Sequence, residues 1–265
     1  SSIYQDVLPY SINGSELYAR ADFADGTMRY GFGGLIPDFT QQPAREAYWR
    51  VHDQNLASIG VDGFKIDETD SWSGPNDPSV VWPSGIASNQ YHNLLGTLTS
   101  NLIHEKYKTE YNCRTYIFSR GNYTGMQRYA TSAYTDYYGF DQFLRAVLVQ
   151  AYSGTYFTPE IRSVNTGSNI DYQRRMQMML LTPFAMFNEW ADGNTVLGRP
   201  KSVIDNCVKY VGLHYALIPY MYSLFWEQHN TGVPVVRPLM MEFEDDPCTV
   251  GIDDQYMLGG FLMAA

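Results

Sequence analysis

The sequence has few charged residues, few cysteines and no long apolar run, and each shortage excludes a class of protein. Only 17% of the 265 residues are charged, and 18 basic side chains stand against 28 acidic ones. Neutralising phosphate groups requires clustered Lys and Arg, so we expect neither a nucleic acid nor a membrane surface as a partner. No apolar stretch is long enough to span a bilayer.

The scarcity of metal-binding patterns predicts a protein without a cofactor or metal. Cys113, Cys207 and Cys248 are too few and too far apart for a zinc site, and their odd number cannot complete a set of disulfides. No Asp-x-Asp-x-Asp-Gly calcium loop occurs, and the acidic run 242–246 is interpreted as a solvated turn. Sequons at Asn13 and Asn122 are compatible with a secreted, periplasmic or lumenal protein, but they leave the compartment open.

Aromatic and apolar residues are abundant by contrast. Hydrophobic residues make up 45% of the chain, enough for a sizeable core, and 22 tyrosines are present. A weakly charged surface rich in tyrosine suits a neutral polar ligand such as a sugar. Tyrosines that fill half-exposed positions of the core would give the same composition.

The order of hydrophobic patterns predicts alternating strands and helices. Such an order implies parallel strands joined by helical crossovers. The predicted strands are 61–67, 114–120, 132–136, 155–160 and 183–188, and the predicted helices are 40–58, 89–108, 143–152 and 172–181.

Polar residues occupy the ends of these predicted strands, at Asp67, Arg120, Asp136, Glu160 and Asn188. An α/β barrel builds its active site at the C-terminal ends of its strands. We therefore predict an α/β fold, a (β/α)8 TIM-type barrel that is incomplete in this chain, with about five or six of the eight strands. The abrupt apolar end of the sequence suggests a piece of a longer protein, and a complete open-sheet domain is the alternative.

Two of these acids suggest a chemistry. Cleavage of a glycosidic bond needs one carboxyl group to attack or stabilise the anomeric carbon and a second to protonate the departing oxygen. Asp67 and Asp136 are candidates for this pair, and Arg120 could hold a carboxylate in its ionised form. Aspartates that follow strands also serve as helix caps or turn formers, so spacing alone does not decide.

Several segments resemble glycoside hydrolase family 31, which contains α-glucosidases, α-xylosidases and related α-glycosidases. The segment G-V-D-G-F-K-I-D-E-T-D at 60–70 is similar to the nucleophile motif of that family, and S-R-G-N-Y-T-G-M-Q-R-Y at 119–129 is similar to the segment before its acid/base. The resemblance implies that Asp67 is the nucleophile, Asp136 the acid/base and Arg120 a sugar contact. Other similar segments lie at 37–49, 213–224, 229–243 and 254–259.

The same resemblance implies two regions, a C-terminal portion of the catalytic barrel at 1–230 and, at 231–265, the last barrel segment with the entry to a C-terminal β domain. The sequence departs from the family pattern at Ala133 and Thr135, where Trp and Gly are expected before the acid/base, and at 160–164. Asn188 stands where the family has a sugar-binding His. These departures leave the implied nucleophile and acid/base in place, and they bear on which sugar the protein binds.

The predicted function is that of a retaining exo-α-glycosidase with a carbohydrate substrate. Lys65 lies two residues before Asp67 and on the same face of its strand, so it should point toward the same pocket. With Glu160 and Asn188 it would bind the substrate through hydrogen bonds, which favours an α-galactose-type sugar over α-glucose or α-xylose. A catalytically silent sugar-binding or partner protein on the same fold is the alternative, and a serine hydrolase is disfavoured because no G-x-S-x-G elbow occurs.

Overall fold

The computed structural model describes residues 11–12, 15–16, 20–21, 36–67, 69, 80–121, 123–129, 131–134, 139–158, 160–161, 168–188 and 195–265. Asp136, Thr135 and both sequon asparagines lie outside the described residues. The chain divides into two compact units, Ser1–Thr131 and Ser132–Ala265. In these described ranges, no helix has both the length and the apolar character that a bilayer crossing requires.

The helices, in chain order, are α1 (Gln42–Asn55), α2 (Ser88–Lys106), α3 (Phe140–Tyr152), α4 (Asn169–Leu180), α5 (Lys201–Thr231) and α6 (Leu239–Glu242). The strands are β1 (Ser11–Ile12), β2 (Ser15–Glu16), β3 (Arg20–Ala21), β4 (Gly63–Ile66), β5 (Val80–Val81), β6 (Tyr116–Ser119), β7 (Thr131–Ala133), β8 (Tyr156–Phe157), β9 (Glu160–Ile161), β10 (Met186–Phe187), β11 (Val236–Pro238), β12 (Tyr256–Leu258) and β13 (Leu262–Ala264).

The first unit is organised around the parallel pair β4 and β6. Helix α1 starts with Pro43 in its first turn, a position where the missing N–H costs nothing, and Gly60 adopts a left-handed conformation (φ 92°) in the turn before β4. Trp49 of α1 and Leu102 and Ile103 of α2 are buried in one apolar core against the strands. A parallel pair whose strands are separated by a helix is the unit of an α/β fold.

The second unit repeats this arrangement and then changes to antiparallel pairing. Strands β7 and β8 are parallel with α3 between them along the chain, and β9 and β10 are parallel with α4 between them. Strands β11, β12 and β13 form an antiparallel sheet after the long helix α5. Met176 and Met179 of α4 are fully buried and Met178 is nearly so, so this helix contributes its methionines to the core.

One interpretation of the sequence is wrong in this unit, and a second holds only in part. The predicted strand 155–160 is two strands, because β8 pairs with β7 whereas β9 pairs with β10. The acidic run is a solvated turn at Glu244, Asp245 and Asp246, which are exposed, but not at Glu242. Glu242 accepts a hydrogen bond from the guanidinium of Arg237, a residue of β11 that is 6% exposed and also bonds to Glu227 of α5. A buried guanidinium requires such carboxylate partners.

His52 of α1 makes the first unit sensitive to acid. Its side chain is 7% exposed, and its ring lies 5.4 Å from that of Trp49 and 4.5 Å from that of Phe64, measured between centroids. Burial lowers the pKa of His52 from 6.5 to about 4, against a smaller opposing effect of Asp53. The unfolded chain takes up a proton on this ring as the pH falls below about 6.5, whereas the folded protein does so only near pH 4. The free energy of unfolding therefore decreases as the pH falls from about 6.5 to about 4.

We expect the free energy of unfolding to decrease by about 3 kcal/mol between pH 7 and pH 4 because of this one group. In His52→Phe, which keeps an aromatic ring in the cluster, the thermal midpoint should fall less steeply with acid over the same range. His229→Gln, at an exposed histidine of α5, is the control and should follow the wild type. Parallel profiles for the wild type and His52→Phe would contradict the assignment.

Candidate active site

The candidate site begins with the alternation of side chains along β4. Phe64 and Ile66 pack against the apolar core formed with α1 and α2. Since successive side chains of a strand point to opposite faces, Lys65 and Asp67 lie on the other face, and both are exposed. Asp67 is the first residue after the strand ends.

The register of β4 and β6 brings Asp67 beside Arg120. Lys65 pairs with Phe118 and Ile66 with Ser119, and the Arg120 N–H donates to the Ile66 carbonyl at 3.3 Å, which extends the ladder past both strand ends. The residues that follow these two strands are therefore neighbours at one edge of the sheet.

Two cations contact the two oxygens of the Asp67 carboxylate. Arg120 Nη1 donates a hydrogen bond to Oδ1 at 3.2 Å, and Lys65 Nζ lies 3.6 Å from Oδ2. The second distance is too long for a hydrogen bond, so Lys65 acts through its charge. The Asp67 side chain is still 44% exposed. The pair of cations favours the ionised carboxylate, and an exposed ionised carboxylate is the form that attacks a carbon centre.

Aromatic rings share this face of the sheet. Tyr116 and Phe118 of β6 are stacked, with ring centroids 6.1 Å apart and planes 27° apart. Phe118 pairs with Lys65 of the neighbouring strand, so both rings lie on the same face of the sheet as Lys65. Helices α1 and α2 pack on the opposite face. In a (β/α)8 barrel the helices form the outer ring, so the face with Lys65, Asp67 and Arg120 is the inward one.

Helix α2 approaches the strand end that carries Arg120 so closely that only glycine fits. A Cβ atom on Gly96 would lie 1.9 Å from the carbonyl oxygen of Gly121 and 3.1 Å from Ser119 Oγ. Gly121 is also confined, though less severely, because a Cβ there would lie 2.9 Å from Thr69 Oγ1 and 3.1 Å from the Thr69 backbone. Gly96 and Thr69 therefore both pack against Gly121, the residue that follows Arg120 in the chain.

Gly96→Ala is therefore expected to destabilise the protein by about 1–3 kcal/mol and to lower activity by displacing the Arg120 segment. The matched control is Gly212→Ala in α5, where an added Cβ meets nothing within 4 Å. There the gain in helix propensity should stabilise the protein by up to about 1 kcal/mol. Thermal unfolding of both variants checks the prediction, and a stabilised Gly96→Ala protein would refute the close approach.

The other predicted residues lie in the second unit or outside the described residues. Glu160 is in β9, where its backbone position pairs with Met186, and Asn188 follows β10 directly and is half-buried. The structure thus brings Lys65, Asp67 and Arg120 into contact, and it sets Glu160 and Asn188 on one pair of parallel strands. Asp136 lies outside the described residues.

Sequence reasoning missed the tight backbone packing beneath Arg120. The signal for Gly96 was present, because an isolated glycine inside a helical pattern often has a packing reason. Nothing in the sequence pointed to Thr69. In the part of the chain that the structure describes, no three His, Cys, Asp or Glu side chains are grouped so that they could hold a metal ion.

Comparison with known proteins decides the family. The model of the glycosyl hydrolases family 31 TIM-barrel domain matches residues 10–224, and the model of the family 31 C-terminal domain matches residues 232–265. The chain belongs to glycoside hydrolase family 31. Both the predicted TIM-type barrel and the predicted family are confirmed.

Similar proteins support the same assignment. Alpha-glucosidase 2 of Bacillus thermoamyloliquefaciens is 27% identical over 260 residues, which cover 87% of this chain and 31% of that protein. An alpha-xylosidase of Saccharolobus solfataricus is 24% identical over 239 residues, covering 83% of this chain and 32% of that one. The structure of a Flavobacterium johnsoniae dextranase complexed with glucose superposes with a TM-score of 0.77 at 22% identity, over 98% of this chain and 34% of the dextranase.

The present chain spans about a third of the length of these relatives. The relatives bear the names of enzymes, so a catalytically silent protein is not the favoured alternative. Their names refer to glucosidase, xylosidase and dextranase activities, and they do not support the galactose-type preference.

Proposed function

We propose that the protein is a retaining α-glycosidase with Asp67 as nucleophile and Asp136 as acid/base. The observation that carries the proposal is the Asp67 carboxylate, exposed and ion-paired with Arg120 and Lys65, directly after a parallel strand of a family 31 barrel chain. This is where a TIM barrel carries its catalytic groups.

The reaction proceeds in two displacements. Asp67 attacks the anomeric carbon while the bond to the glycosidic oxygen breaks, and Asp136 gives its proton to that oxygen. A water molecule then attacks the same carbon, Asp136 takes its proton, and the Asp67 carboxylate departs. Arg120 and Lys65 stabilise the carboxylate at the beginning and at the end of the cycle, when it carries its full charge.

The choice of sugar is the finer part of the proposal. The galactose-type preference rests on Lys65, Glu160 and Asn188, which would replace stacking surface by hydrogen-bonding groups. Of these, Lys65 has its ammonium beside Asp67 and therefore within reach of a sugar held for attack. The names of the relatives favour α-glucosides and α-xylosides instead. A site built to bond one hydroxyl can reject a sugar that lacks it by about 10⁴-fold, so a substrate panel separates these alternatives.

The experiment is the hydrolysis of nitrophenyl α-galactoside, α-glucoside, α-xyloside and N-acetyl-α-galactosaminide by the intact protein. The first product should be the α-anomer, as seen by proton NMR before mutarotation. A β-anomer as first product, or no hydrolysis of any α-glycoside, would refute the proposed function. A clear preference for the glucoside would defeat the galactose-type prediction and leave the mechanism standing.

Lys65→Met distinguishes two roles for Lys65. If the ammonium binds a sugar hydroxyl, the variant should lose its preference among the sugars of the panel. If it acts only by charge on Asp67, kcat/KM should fall by a similar factor on every sugar.

A further inference from the structure

A small hydrogen-bonded cluster lies directly behind the Asp67–Arg120 ion pair. It consists of the side chains of Thr69 and Ser119 and the backbone of Gly121, all buried. The Gly121 N–H donates to Thr69 Oγ1 at 2.8 Å, and Thr69 Oγ1 lies 3.1 Å from Ser119 Oγ. Ser119 Oγ in turn lies 3.5 Å from the Gly121 carbonyl oxygen.

The directions of these bonds can be assigned from the backbone groups. The Gly121 N–H can only donate and its carbonyl can only accept. Ser119 therefore gives its proton to the carbonyl, and Thr69 gives its proton to Ser119, which closes a ring in which the Thr69 hydroxyl both accepts and donates. A valine at position 69 has the same shape as threonine and can make neither bond.

The ring joins the two chain segments that carry the ion pair. Thr69 is two residues after Asp67, and its hydroxyl bonds to the residues immediately before and after Arg120. Thr69 is 4% exposed, so its hydroxyl is buried and does not face the substrate. Gly96 of α2 packs closely against the same Gly121 carbonyl, which leaves the Arg120 segment little room to move.

We infer that Thr69 is a positioning residue, whose hydroxyl fixes Arg120 at hydrogen-bonding distance from Asp67. This inference rests on the proposed function, because it assigns Thr69 a part in that reaction. Loss of the hydroxyl should misplace the guanidinium and the carboxylate relative to each other, and a misplacement of about 1 Å near the chemistry can cost 10²-fold in rate.

The test compares Thr69→Val with Thr69→Ser in the intact protein. In Thr69→Val, kcat on the best nitrophenyl α-glycoside should fall about 10- to 100-fold with little change in KM. Thr69→Ser, which keeps the hydroxyl, should retain most of the wild-type kcat. The matched control is Thr99→Val, at an equally buried threonine whose hydroxyl donates to the Leu95 carbonyl inside α2, and it should leave kcat unchanged.

A second readout does not depend on turnover. Carbodiimide reacts with protonated carboxyl groups, so an ion-paired Asp67 should be labelled slowly at mildly acidic pH. Peptide mass spectrometry should show faster labelling of Asp67 in Thr69→Val than in the wild type or Thr69→Ser, with the exposed Asp245 as internal reference. If Thr69→Val does not fold, Ser119→Ala opens the same ring at its next member and should raise labelling in the same direction.

The outcomes separate the two proposals. Wild-type protein that is inactive on every α-glycoside would refute the proposed function, and Asp67 labelling would still decide the role of Thr69. Wild-type kcat and labelling in Thr69→Val, or equal losses in Thr69→Ser and Thr69→Val, would overturn the inference about Thr69. Equal losses in Thr69→Val and Thr99→Val would also overturn it, because any buried threonine would then have the same effect.

Discussion

Asp67→Asn is expected to abolish hydrolysis of every substrate, with kcat lower by about 10⁴-fold or more. The amide has almost the same shape as the carboxylate, and its oxygen can still accept the hydrogen bond from Arg120. The amide cannot form the glycosyl ester, so the loss is one of chemistry and not of folding. Initial rates on an aryl α-glycoside measure it.

The control for this variant is Asp205→Asn, at an exposed aspartate of α5 that pairs only with Lys201 among the contacts described for it. It should keep wild-type activity, because surface ion pairs of this kind contribute little. Residual activity in Asp67→Asn that follows the wild-type pH profile and substrate preference would refute the nucleophile assignment.

Asp136→Ala is expected to discriminate between leaving groups. A general acid contributes about 10²- to 10⁴-fold where the departing oxygen must be protonated. Alkyl α-glycosides and disaccharides should therefore lose activity by that factor, whereas the first step on dinitrophenyl or fluoride substrates should be nearly spared. Equal losses on activated and unactivated substrates would contradict the role of Asp136.

Azide supplies a stereochemical test of both acids. In Asp136→Ala, azide needs no base and should displace Asp67 from the glycosyl enzyme, which gives the α-glycosyl azide. In Asp67→Gly, azide should occupy the place of the missing nucleophile and attack the substrate directly, which gives the β-glycosyl azide. Exchanged anomers would mean that the two roles are assigned the wrong way round.

The part of the site that could be predicted from sequence follows from strand geometry. Parallel strands end at one edge of a sheet, so residues directly after two neighbouring strands meet, as Asp67 and Arg120 do at 3.2 Å. The two-residue period of a strand placed Lys65 on the face of Asp67, and their side chains are 3.6 Å apart. Both neighbours of Asp67 can be predicted from the strand ends and the two-residue period, which the sequence pattern reveals well.

The rest depends on partners that lie far away in the sequence. The role of the Thr69 hydroxyl depends on Gly121, which is 52 residues later, and the role of Gly96 depends on the same glycine. The split of 155–160 into β8 and β9 follows from two different pairing strands, and hydrophobic pattern alone does not identify them. The interpretation of the acidic run as a solvated turn holds for 244–246 but not for Glu242, because the partner of Glu242 is a buried arginine on β11.

The central claim is that Asp67 forms the covalent bond to the sugar. A 5-fluoro-α-glycosyl fluoride of the preferred sugar slows both displacements but keeps a good leaving group, so the glycosyl enzyme should accumulate. Peptide mass spectrometry of the intact protein after this treatment should find the sugar on the peptide that contains Asp67, and fragmentation should assign it to that side chain. A covalent adduct on any other carboxylate, or steady turnover of the reagent by Asp67→Asn, would contradict the account.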